Sequence, residues 1–153
     1  MSSLISGEIN FERTEQTACQ ELSLAIVRFC VEHGFAVHFK GTPIKNCVAL
    51  SFQLSDNFLV SHCETFLAPI IYTLEGVPLL KELSDHLDNL KMLMELILSF
   101  DSVNAVILRF SFGEVDEWEY EHILTTTTEM KEELLARYLE DDLIPTLKVT
   151  IVR

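Results

Sequence analysis

Residues Val48–Leu54 read VALSFQL. Large apolar side chains fall at 48, 50, 52 and 54, with Ala49, Ser51 and Gln53 between them. A period of two belongs to a strand that lays one face on a core and turns the other to water. A sheet of such strands needs cover on one side only, so the fold turns on what the rest of the chain supplies as cover.

Working outward from this stretch, the same period recurs. Phe35, Val37 and Phe39 share one face of Phe35–Lys40, and the intervening GTPIKNC joins the two runs as a loose hairpin. Val106, Leu108, Phe110 and Phe112 line one face of Ala105–Phe112. Leu147, Val149 and Ile151 do so in Leu147–Val152. Ile9–Phe11 reads as a short lead-in strand.

Between these runs the period changes to that of a helix. Cys19, Leu22, Ile26, Phe29 and Cys30 form a stripe in a helix capped by Thr14 or Thr17 and stopped at Gly34. Leu83, Leu87, Leu90, Met94 and Ile97 recur at four and three residues, with Lys81, Asp85, Asp88, Lys91 and Glu95 turned away. That stripe spans about two heptads, too few for a coiled coil, so core packing is favoured over an oligomer seam. Thr126 with Glu129 makes a capping box for a helix to about Glu140. Phe58–Leu74 is apolar but holds Pro69, which implies a kink or a helix ending near Leu67. The expected architecture is α+β: one domain spanning residues 1–153, with about four largely antiparallel strands packed by about four helices.

The whole chain agrees with that reading. A length of 153 residues suits one domain with its own core. A hydrophobic content of 48% and a mean hydropathy of +0.25 are slightly high for a protein in water, which hints at a further buried face such as a homodimer seam. MSSLISGEINFER lacks a basic region followed by an apolar run, so no leader is expected. Charges interrupt every apolar stretch before about 18 residues, so no membrane span is expected. Cys19, Cys30, Cys47 and Cys63 show no tight-pair spacing and read as reduced thiols of a cytoplasmic protein.

Motifs for chemistry are missing or fragmentary. The glycines at 7, 34, 41, 76 and 113 form no phosphate-binding loop. His62-Cys63, His86 near Glu82 and Asp85, and His122 near Glu119 and Glu121 are each a fragment of a metal site. Ser84-Asp85-His86 has the letters of a triad, but contiguous helix residues diverge and cannot act together. The expected reading is no enzyme, no cofactor and no metal.

Charge is the strongest signal. The chain carries −13, and Gly113–Pro145 holds eleven acids against two bases, a net −9. Such a field repels nucleic acid and anionic membranes and speeds encounter with a basic protein. The candidate partner surface is Asp116, Glu117, Trp118, Glu119, Tyr120 and Glu121, where acids surround the chain's only tryptophan and a tyrosine. Glu140, Asp141 and Asp142 form a second patch near a helix C-terminus, where the helix dipole disfavours anions. In size, charge and compartment the chain resembles bacterial immunity proteins and antitoxins that inhibit a basic toxin such as a nuclease, with no shared motif. The alternatives are an acidic chaperone for a secreted effector, or a small enzyme or ligand-binding domain using histidines and carboxylates brought together by folding.

Overall fold

The computed structural model describes residues 3–11, 16–40, 49–55, 76–112, 120–124, 126–139 and 146–152. The elements in chain order are β1 (Ser3–Phe11), α1 (Gln16–His33), β2 (Ala36–Lys40), β3 (Ala49–Ser55), α2 (Gly76–Leu98), β4 (Val103–Phe112), β5 (Tyr120–Leu124), α3 (Thr127–Leu139) and β6 (Thr146–Val152). The strands form a single six-stranded sheet in the order β2-β3-β1-β4-β6-β5. Every neighbouring pair is antiparallel except β5 with β6. The class is α+β, as the alternation predicts, with six strands in place of about four and three helices among the described residues. The helix expected within Phe58–Leu74 lies outside them.

Among the described residues one face of the sheet is buried along β1 and β3 and at Val106, Leu108 and Ile151, and partly buried at β2. Ile5, Ile9, Phe11, Leu50, Phe52, Leu54, Val106, Leu108 and Ile151 join the inward stripes of the helices in one core. The helices lie across that face in a row. α1 packs on β2 and α2, α2 on β4, and α3 on α2, β5 and β6. The face with Ser6, Glu8, Asn10, Ser51, Gln53 and Arg109 carries none of these helices. There Glu8 and Arg109 make a partly buried ion pair at 3.5 Å, worth about 1 kcal/mol or less.

β1 is the largest departure from the sequence reading. It runs for nine residues and sits between β3 and β4, near the middle of the sheet, where only its last three residues were expected. The reason is Gly7. It interrupts the apolar alternation Ile5–Ile9–Phe11, and its missing side chain is replaced from the neighbouring strand. Gly7 is the register partner of Phe52, and a Cβ added at Gly7 would overlap the Phe52 ring. The phenyl group fills the glycine's place in the core and is itself fully buried.

The helix ends follow local rules. Gly34 has φ of 78°, and the Phe35 N–H donates to the Cys30 carbonyl at 2.9 Å, the six-to-one bond of a Schellman cap. Its hydrophobic complement is present, since the Phe29 and Phe35 rings stack with centroids 6.5 Å apart. α2 begins at Gly76, several residues ahead of its apolar stripe, and includes Pro78. Proline fits a first turn because the N–H it lacks has no acceptor there. At the start of α3 the Glu129 N–H donates to Thr126 Oγ1 at 3.1 Å, one half of the expected capping box.

α2 is the central beam. Leu83, Leu87, Leu90, Leu93, Met94 and Ile97 are all fully buried. The stripe is core, and no surface of it is left for an oligomer seam. Asp88 pairs with Lys131, and Thr127 Oγ1 donates to Glu95 at 3.1 Å. The partners step in opposite directions along the two helices, so α2 and α3 run antiparallel.

Candidate functional site

The acidic segments are best located through the strands that flank them. β4 ends at Phe112, and Ser111 is the register partner of Thr146, the first residue of β6. β5 starts at Tyr120, which pairs with Leu147. The connection 113–119 therefore leaves one side of β6 and returns on the other. The connection 140–145 joins the C-terminus of α3 to the start of β6. Both connections are anchored at one end of the β4–β6–β5 half of the sheet, and together they carry most of the acids that make this region −9.

Asp116, Glu117, Trp118 and Glu119 lie outside the described residues, as do Glu140, Asp141 and Asp142. Tyr120 and Glu121 are the first two residues of β5. Glu121 is the register partner of Lys148, which places opposite charges on adjacent strands at that level.

The other sequence candidates separate in space. His86 reaches Glu82 at 4.0 Å along one face of α2, a helical neighbour pair. His33 Nδ1 donates to the Phe29 carbonyl at 2.9 Å and stacks on the Phe29 ring at 3.9 Å, a structural role at the end of α1. His38 is exposed on β2. Among the described residues no three or more His, Cys, Asp or Glu side chains converge as a metal site would require. His62, Cys47 and Cys63 lie outside the described residues. No helix among the described residues is long and apolar enough to cross a membrane.

Cys19 and Cys30 are both buried on the inner face of α1. Desolvation pushes the Cys30 thiol up from 9.0 to about 11, so it stays protonated, and a poor nucleophile, at neutral pH. The unfolded chain loses this proton near pH 9 and the folded one only near pH 11. The unfolded state therefore binds fewer protons between those values, and stability falls with rising pH across that window. The expected loss is up to about 3 kcal/mol and levels off above the folded value. Urea titrations of the wild type and Cys30→Ala at pH 8 and pH 10.5 measure it. Parallel losses in the two proteins would show that Cys30 is not the cause.

The surface feature that sequence reasoning missed lies on the outer side of α1. Leu24, Val27 and Val31 are exposed by 52%, 38% and 76%. Their spacing of three and four residues marks a second apolar stripe, which the stronger inward stripe of the same helix obscures.

No protein-family model matches the chain, and no curated protein or solved structure is significantly similar to it.

Proposed function

We propose that the protein is an acidic cytoplasmic binding module that inhibits a basic protein, of the kind represented by immunity proteins and antitoxins against nucleases. One observation carries this reading. The two acidic connections, far apart in sequence, are anchored at the same end of the sheet, so their charges add into one field. Asp116, Glu117, Glu119 and Glu121, with Glu140, Asp141 and Asp142, steer and pair with Lys and Arg of the partner. Trp118 and Tyr120 anchor it by burying aromatic surface. Inhibition follows from occlusion of the partner's basic active surface and needs no chemistry from this chain.

A second reading, an acidic chaperone for a secreted effector, draws on the exposed apolar stripe of α1, since chaperones offer apolar surface to unfolded segments. Capture from the source cell separates the two by what is retained: a folded basic toxin or an unfolded secretion substrate.

The captured partner then tests the steering role. Glu117→Lys with Glu119→Lys is expected to slow association about tenfold or more at low ionic strength and to flatten its salt dependence. On-rates that stay at the wild-type value at low salt would remove these residues from the interface.

A further inference from the structure

We propose that the β2–α1 edge is a homodimer interface, in which β2 pairs antiparallel with β2 of a second copy and α1 packs beside the second α1. The inference does not depend on the acidic-partner reading and uses the opposite side of the sheet.

β2 is an edge strand, and its outer side has no strand partner among the described residues. Ala36 and His38 are exposed, and Val37 and Phe39 are only partly buried although they pack against the core. The described residues thus leave the core incompletely covered at this edge. The strand has no proline and no bulge, and its only fixed charge is Lys40 at its last position, so Ala36–Phe39 is open to pairing with another chain.

The topology brings the exposed stripe of α1 to the same place. β1 and β2 each pair antiparallel with β3 and so run parallel to each other. The β1–α1–β2 connection is then a crossover, and such crossovers are right-handed. α2 flanks α1 on the inner side. Cys19, Leu22, Ile26 and Cys30 fill the arc of α1 that faces the sheet and α2. At about 100° per residue the next arc, on the flank above the β2 edge, holds Leu24, Val27 and Val31. Glu21, Arg28 and Glu32 follow on the side away from the sheet. Among the described residues, three of the five exposed large hydrophobics therefore sit on one flank of α1, on the side of the β2 edge.

A second copy is the occupant that meets both features with one operation. A twofold axis normal to the sheet at His38 pairs all five β2 residues: Val37 with Phe39 of the other copy, His38 with His38, and Ala36 with Lys40. Directly opposed residues share a face, so the Val37 and Phe39 positions of both chains complete the helix-covered side. The same axis sets the two α1 helices antiparallel, apolar flank to apolar flank. A five-residue strand alone falls short of the ~1,200 Å² that stable interfaces bury, so the proposed interface needs the helix flank as well. The operation closes on itself, so it yields a dimer and not a fibre. Charge selects this edge as well. Two chains of −13 repel, yet α1 and β2 together hold Glu21 and Glu32 against Arg28 and Lys40, a net charge of zero. The acidic connections are anchored on β4, β5, β6 and the end of α3, away from the β2 edge.

Sedimentation of the full chain over roughly 1–200 µM tests this. The expected species is a dimer, twice the 17.5 kDa of one chain. His38→Lys opposes two cations across the axis, and Val31→Lys puts charge into the helix seam. Each is expected to raise the dissociation constant at least about tenfold with an unchanged far-UV spectrum, because both positions are exposed in the single chain. A wild type that stays at the mass of one chain, a species larger than a dimer, or a dimer that survives either substitution overturns the proposal.

Discussion

Gly7→Ala is expected to lower the stability of the protein by about 2–3 kcal/mol, at the upper end of what overpacking a core costs. The position lies inside a central strand, and the space a Cβ would need is occupied by the Phe52 ring. That ring is held between the sheet and the helices, is fully buried, and lies edge-on to Phe39 at 6.4 Å. It cannot swing to solvent, so either β1 moves away from β3 or Phe52 leaves its rotamer. The effect should depend on the ring. Phe52→Leu alone removes buried volume and is expected to cost about 1–2 kcal/mol. In that background Gly7→Ala should cost much less than in the wild type, because the methyl enters space the ring has vacated. Urea denaturation of the four proteins measures the coupling. Costs that simply add, within about 0.5 kcal/mol, would mean that Phe52 does not fill the place of the glycine.

Leu90→Ala is expected to be comparably severe, at about 3 kcal/mol, or roughly 6–12 °C in melting temperature. Leu90 is fully buried at the middle of α2, the one helix that touches α1, α3 and the sheet. A cavity there has close-packed neighbours on several sides and little means of collapsing. Met92, two residues on, points outward and is 46% exposed. Met92→Ala should stay within about 0.5 kcal/mol of the wild type, since alanine is the better helix former and little packing is lost. Equal effects at the two positions would contradict the burial pattern of α2.

The two sites differ in how far the sequence foretold them. Leu90 lies in a run of leucines at helical spacing with charged residues opposite, and its burial followed from the pattern alone. Gly7 carried no such signal. A glycine within a strand weakens the alternation that identifies strands, and the residue that compensates for it lies 45 positions away on β3. β5 was missed for a related reason. It has five residues and follows a run of acids, and only pairing with β6 holds it extended. Pro78 shows the limit of a residue-type rule: proline disrupts a helix interior, yet it lies within α2 because a first turn accepts it freely.

The candidate site was legible as charge and illegible as geometry. Eleven acids against two bases between 113 and 145 can be counted from the chain. That the two acidic connections share one end of the sheet could not be, because it depends on β6 lying between β4 and β5.

By itself the sequence determined the class of the fold, the faces of its long helices and strands, and the sign and location of its charge. These follow from periods of two and about 3.6 residues and from composition, which act within a few residues of each position. Tertiary structure alone decided the place of β1 at the centre of the sheet, the filling of Gly7 by Phe52, the anchoring of the two acidic connections at one end of the sheet, and the exposure of Leu24, Val27 and Val31 on α1. Each of these depends on strand order and register. Those are chosen by long-range pairing and by which surfaces the helices leave uncovered, and no local pattern encodes them.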